Sequence, residues 1–344
     1  MDKTCVPLNA EAETSLPIID FANFGDGTSV EAKEIAEKFY AACRDVGFAY
    51  IANTGIPQHA IDGMFELCAK FFDLPTEIKQ KAPHPPEGWK HRGYSGVGVE
   101  QVSQMVFDPN ELADIRSKAL DFKESFDFGN EDSTRLQNIW PPEEDLPGFR
   151  EQAVAFFKVC REFQTSKILP ALALGMPGVP AGFFDQYHQQ ADNQVRLLHY
   201  PGAPAEAFLS GEKGRINAHT DFGTCTVLFQ DDCGGLEVES PHEPGKFIPA
   251  PPIPGTVVFN IGDFLMRWSN DTLKSTLHRV RVPPQKDGVA GGMIRERFSI
   301  PYFMGADRDK VVDCLPGCFG PNKPKRYEPI NAGQYINMRL NATY

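Results

Sequence analysis

The sequence predicts an α+β protein with a mainly β core flanked by helices. Three observations lead there. Apolar residues recur at helical spacing in the front half of the chain and again at its end. Short alternating runs separated by Gly, Pro and Asp crowd the stretch from 195 to 303, as in a β-sandwich or barrel. And 344 residues, 41% hydrophobic and 23% charged, can bury a sizeable core.

The elements follow in order. Residues 1–15 are polar and read as a loose arm, and the apolar run at 16–21 reads as a strand. Thr28-x-x-Glu31 matches a capping box, and Ile35, Phe39, Ala42 and Val46 continue as one helical face. A strand pattern returns at 47–52. Pro57 opens a second helix with Ile61, Met64, Phe65, Cys68 and Phe72 inward, and Pro75 limits it. Residues 82–147 are rich in Pro, Gly and charge and read as loops with one helix near 110–118. Gly93-x-x-Gly96-x-Gly98 lacks the spacing and the strand–helix frame of a dinucleotide fingerprint. A long amphipathic helix is predicted over 149–174, interrupted late by Pro170. Strands are predicted at 195–200, 224–230, 236–238, 256–260, 276–282 and 298–303, and a last helix over 330–344.

The formal net charge of −12 disfavours nucleic acid and anionic membrane as partners, since both select a basic face. No apolar run reaches the roughly 18 residues of a membrane span. The eight cysteines are scattered and form no CxxC pair. With no secretory leader pattern at the start, they read as free thiols of a cytoplasmic protein. Asn270 and Asn341 stand in glycosylation sequons that such a location leaves unused.

The chemistry is carried by RINAHTDFGTCTVLFQD, residues 215–231. His219 and Asp221 stand two apart in a strand-like run and so share a face. A buried imidazole and carboxylate are costly there unless something compensates them. His278, in STLHRV, lies 59 residues on, far enough to return on another strand. Two histidines and one carboxylate can make the facial triad of a non-haem iron site. Arg297 and Ser299 share a face of a further strand, and a guanidinium beside a hydroxyl makes a carboxylate clamp. On ligand chemistry alone, satisfied core histidines and a zinc hydrolase stay open, and the clamp argues against the second. A cupin-like protein lacks its HxH-rich motif here.

HTDFGTCTVLFQDDCGGLEV, NIGDFLMRWSNDTLKSTLHRV and RFS, in that order, resemble the core of the 2-oxoglutarate- and Fe(II)-dependent dioxygenases of the isopenicillin N synthase-like family. LPIIDF and GFAYIANTGIP resemble that family's N-terminal region. The resemblance implies a double-stranded β-helix, or jelly roll, flanked by helices. It divides the chain into an α/β cap (1–130), a linking loop and long helix (131–190), the catalytic core (191–306) and a C-terminal segment packing on it (307–344). It implies His219, Asp221 and His278 as iron ligands, and Arg297, Ser299 and Tyr200 as holders of 2-oxoglutarate. Fe(II), 2-oxoglutarate and O2 would be required, with ascorbate as reductant. A C–H bond of a small-molecule substrate would be oxidised, with succinate and CO2 as coproducts.

Within the family, RLLHYP, DFKESFDFG and YEPINAGQYINMRLNATY are similar to fungal thymine 7-hydroxylases and related fungal secondary-metabolite dioxygenases. There, aromatic residues at the positions of Phe222 and Phe303 sandwich a flat ring, so a polyketide or a pyrimidine base is the implied substrate type. Thymine hydroxylases carry tyrosine where Phe222 stands. Many plant members carry asparagine where Leu198 stands, and the segment between His278 and Arg297 is longer than usual. Arg196 is a candidate to read a substrate carbonyl, with a structural ion pair as the alternative. Leu198 is counted with the substrate wall. Trp89, Tyr94 and Met105 are candidates for the entrance, His199 for a structural role, and Asp263 for a turn. The alternative functions are an oxidase of the same fold that does not use 2-oxoglutarate, and a binding protein without chemistry.

Overall fold

The computed structural model describes residues 15–100, 120–209, 213–282 and 292–340. The first long helix, Val30–Asp45, is capped by Ser29, whose Oγ accepts the Ala32 N–H at 3.0 Å. The cap expected at Thr28 sits one residue later because Thr28 donates its hydroxyl to Asp26 at 2.6 Å. This helix buries Ala32, Ala36, Phe39, Ala42 and Cys43, and the second, Gln58–Phe72, buries Met64, Leu67, Cys68, Phe71 and Phe72. The long helix runs from Phe149 to Gly175 in three parts: α-helical to Phe163, π-helical over Gln164–Ile168, α-helical from Leu169. Pro170 lacks an N–H and crowds the preceding turn, and the wider turn absorbs it.

Eight strands form one sheet in the order Ile18–Asp20, Phe48–Ala52, Thr256–Ile261, Cys225–Gln230, Arg297–Met304, Gln194–Tyr200, Glu124–Gly129, Gly93–Ser95. Only its first pair is parallel. Four more, Phe247–Pro249, Leu236–Glu239, His278–Val280 and Ile216–His219, form a second sheet. The two sheets face each other across a cavity lined from both, the double-stranded β-helix with open edges. The helices pack on the outer face of the large sheet over a core rich in phenylalanine. A smaller apolar cluster, including Tyr50, Leu198, Tyr200, Ile216, Leu236 and Val280, fills the space between the sheets.

The loop reading of 82–147 needs correction. Glu124–Gly129 is a strand buried at every position, paired to Gln194–Tyr200, and Gly93–Ser95 pairs to it in turn. Its acids hid it, since Glu124 and Asp127 are neutralised inside the protein rather than by water. The helix expected near 110–118 lies outside the described residues. The run at 276–282 forms a strand only over His278–Val280. At the C-terminus Ile330–Asn331 pairs with Val311–Val312, and the helix Ala332–Leu340 follows. Among the described residues, no helix is long and apolar enough to cross a membrane.

Candidate active site

Register brings the candidates together. His219 and His278 are direct partners across the small sheet, with ring centroids 4.3 Å apart. The strand of His219 ends at that residue, so Asp221 does not share a strand with it as the spacing predicted. It lies on the connection to Cys225–Gln230, and the NIGDF turn holds it there. Asp263 N–H donates to Asp221 O at 2.8 Å, Gly262 N–H to Thr224 O at 2.9 Å, and Phe264 N–H to Gly223 O at 3.2 Å. The two turns touch so closely that a Cβ on Gly262 would lie 2.3 Å from Gly223 O. Only glycine permits that approach.

One ligand atom from each of His219, Asp221 and His278 lies within 4.8 Å of the others. Each ring is oriented by a carbonyl: His219 Nδ1 donates to Asn217 O at 2.8 Å and His278 Nδ1 to Thr276 O at 3.2 Å. A carbonyl only accepts, so each neutral ring carries its proton on Nδ1 and offers the Nε2 lone pair. Asp221 Oδ2 accepts from Thr226 Oγ1 at 2.5 Å and Asn260 Nδ2 at 2.7 Å, and its Oδ1 lies 3.6 Å from His278 Nε2. Burial pushes His219 down to about 3, with His278 adding to the effect, so it is neutral at physiological pH. Burial alone would raise the Asp221 carboxyl; the two histidines and Thr226 hold it well below the usual range. Despite its burial, His278 is drawn upward by Asp221, and a metal would replace the proton on that ring's Nε2. Two imidazole nitrogens and one carboxylate oxygen, each fixed from behind, fit a divalent first-row ion.

The clamp lies on the inner face of the large sheet. Arg297 pairs with Tyr200 and Ser299 with Leu198, so all four project together. The Arg297 guanidinium is fully buried, and among the described residues no carboxylate pairs with it. It donates Nη1 to Ser299 Oγ at 2.8 Å and Nε to Gly234 O at 3.0 Å, and lies 5.1 Å from the centre of the Tyr200 ring. Its remaining donors fit an incoming carboxylate such as the distal one of 2-oxoglutarate.

One cavity of about 180 Å³ holds the triad, the clamp, Phe222, Phe303, Arg196, Leu198 and Trp89 in its walls. Arg196 is not open to a substrate carbonyl as it stands. It donates bidentately to Asp127 at 2.7 and 3.0 Å, twice to Glu100 at 2.8 Å, and its Nη2 meets His91 Nδ1 at 2.8 Å. Tyr94 is turned away from the cavity and donates to Glu124 at 2.6 Å. His199 is held between Glu124 and Glu296 and stacks on Phe298. Met105 lies outside the described residues.

Sequence reasoning missed what supports the triad. Asp263 is more than a turn residue. Its buried carboxylate accepts from Thr220 at 3.0 Å and Ser275 at 2.7 Å and pairs with Arg339 at 2.8 Å. Arg339, from the C-terminal helix, also lies 4.4 Å from the centre of the Phe222 ring. Its place in the ending shared with thymine hydroxylases was the available signal. Arg92 and Arg308 both line the cavity, and nothing in their local sequence marks them.

Comparison with known proteins agrees with this geometry. Residues 191–306 match the 2OG-Fe(II) oxygenase superfamily, and 16–143 match the N-terminal region described as non-haem dioxygenase in morphine synthesis. The 2-oxoglutarate-dependent dioxygenase frbA of a Dothideomycetidae species is 39% identical, with 96% of this chain and 97% of frbA covered. The proline hydroxylase buaE of Petromyces alliaceus is also 39% identical, with 95% of this chain and 98% of buaE covered. The thymine 7-hydroxylase of Neurospora crassa, solved with α-ketoglutarate and thymine, superposes with a TM-score of 0.85 at 40% identity, over 96% of this chain and 97% of that one.

Proposed function

The chain belongs to the 2-oxoglutarate- and Fe(II)-dependent oxygenases, and we propose that it oxidises a C–H bond of a small ring-bearing molecule. It is an enzyme of the dioxygenase class, and Fe(II), 2-oxoglutarate and O2 are its cofactor and cosubstrates. In this reading, His219, Asp221 and His278 hold the iron, and Arg297, Ser299 and Tyr200 hold the distal carboxylate of 2-oxoglutarate. When bound, iron and 2-oxoglutarate supply an oxidant from O2, with succinate and CO2 released.

The chain positions and shields. Phe222 and Phe303 both line the cavity, and a flat ring would pack against them there. Leu198, Ile216, Leu236 and Val280 add apolar wall to the same cavity. The substrate is a secondary metabolite such as a polyketide, or a pyrimidine base, and the outcome is hydroxylation or an oxidative rearrangement such as ring expansion. Seven free cysteines among the described residues, five of them buried, support a cytoplasmic location.

The observation that carries this reading is one cavity shared by the triad, the clamp, Phe222 and Phe303. The test is succinate formation by the Fe(II)-loaded protein under air, with 2-oxoglutarate, ascorbate and a panel of pyrimidines and small polyketide rings. One panel member should stimulate succinate and give a product heavier by one oxygen. If 2-oxoglutarate does not bind, and no panel member raises succinate above a His219→Ala control, the reading is wrong.

A further inference from the structure

The same cavity is also lined by Trp89, Arg92, Asp192 and Arg308. Arg92 is 7% exposed. Its Nη1 donates to His91 O at 2.7 Å, and its buried Nε has no partner. Its Nη2 lies over the backbone of Gly129, where a Cβ would come within 2.0 Å of it. This glycine makes a bed for the guanidinium. Burial pulls Arg92 down to about 10, so it still carries its charge at neutral pH. Arg308 has its Nη1 on Asn337 Oδ1 at 2.6 Å and its guanidinium 5.9 Å from the centre of the Trp89 ring. Among the described residues, neither arginine forms an ion pair.

Among the described residues, the charges around this end do not balance. Asp127, the nearest help to Arg92, is already held bidentately by Arg196. Glu100 is shared by Arg196 and Lys123. That leaves Asp192 for both Arg92 and Arg308, and one of its oxygens accepts the Arg308 N–H at 3.0 Å. Counted over the described residues, a positive charge is left over in a buried, low-dielectric place, which is costly without an anion. Arg297 is in the same condition at the other end, where the cosubstrate carboxylate answers it. Burial without a carboxylate is not sufficient by itself: Arg215 shares it but packs outside the cavity. Arg92 differs in facing the space a substrate must fill.

We propose that the substrate carries a carboxylate, held by Arg92 and Arg308 while its ring lies on Phe222 and Phe303. This rests on the dioxygenase reading of the same cavity and narrows its substrate class to ring-bearing acids. Asp192 adds an acceptor beside the carboxylate, and it is suited to an ammonium or N–H on the same molecule. A cyclic amino acid would use both features, and a plain ring acid only the arginines.

The test is a calorimetric titration under nitrogen of the full chain loaded with Fe(II) and saturating 2-oxoglutarate. The probes are L-proline, cyclopentanecarboxylate, L-prolinamide and thymine. Both acids should bind about tenfold or more tightly than the amide and the neutral base. L-Proline exceeding cyclopentanecarboxylate would identify the amino acid form, and parity the plain acid. Arg92→Gln and Arg308→Gln should each erase the preference for acids, and Arg308, being less buried, covers the case in which Arg92→Gln does not fold. Equal binding of all four, preference for thymine or prolinamide, or no binding of either acid overturns the proposal, as does a preference that survives in both variants. Failure of 2-oxoglutarate to bind at all overturns instead the reading beneath it.

Discussion

The metal triad and the far arginines of the cavity are built in opposite ways. At the triad, the ring nitrogens and carboxylate oxygen that face away from the ligand position are fixed by named partners: Asn217, Thr276, Thr226 and Asn260. At the arginine end, Arg92 keeps one hydrogen bond and a buried Nε with none. The first arrangement suits a group that is the same in every turnover, because fixed donors cost no reorganisation when it arrives. The second leaves charge unanswered until a particular molecule enters, and so it selects among substrates. Experiments that strike one end and read both can break this contrast or sharpen it.

The largest effect belongs to the triad. Asp221→Ala removes the only carboxylate among the three ligand candidates. Turnover should fall to background and bound iron should be lost, measured by succinate release and by metal content after gel filtration. Full activity in this variant would remove Asp221 from the metal. Next comes the clamp. Arg297→Met deletes a fully buried guanidinium. The KM for 2-oxoglutarate should rise about 30-fold or more, the loss of one partner of a buried charge pair. Iron content should hold. A KM unchanged within error would show that 2-oxoglutarate is anchored elsewhere.

A smaller effect is expected one layer back. Asn260→Ala frees one of the two hydrogen bonds on Asp221 Oδ2. Metal affinity should drop about 10- to 100-fold, read as the Fe(II) concentration needed for half-maximal activity. No shift would mean that Thr226 alone orients the carboxylate.

How far these features were legible follows from where their partners lie. His219, His278, Arg297 and Ser299 were readable because a strand's period of two is local, and register then paired His219 with His278 and Arg297 with Tyr200. The position of Asp221 was misread locally, since its anchor is the NIGDF turn some 40 residues later. Glu124–Gly129 reads as loop because its acids look solvated in sequence. Their neutralisers, Lys79, His199 and Arg196, come from distant elements. For Arg196 the sequence leaves a pocket role and a structural ion pair both open, and only the fold shows its donors engaged by Asp127 and Glu100. The charge excess at Arg92 is a sum over five separate segments, which no local pattern carries.

The smallest expected effect tests whether the two ends act independently. Phe222 is half-buried in the cavity wall, next in sequence to the ligand candidate Asp221, with the Arg339 guanidinium 4.4 Å from its ring centre. Replacing it by alanine removes a ring contact worth about 0.5–1.5 kcal/mol beyond area burial. The KM of the ring substrate found in the succinate panel should rise roughly two- to tenfold. The KM for 2-oxoglutarate should stay where it is, because Arg297 and Ser299 hold their geometry through the large sheet without Phe222. Loss of the Arg339 contact also loosens the C-terminal helix, so thermal unfolding is measured in parallel to separate packing from recognition. If both KM values rose together while the unfolding temperature held, Phe222 would be coupling the ends. The division between a fixed cosubstrate end and a selective substrate end would then have to be given up.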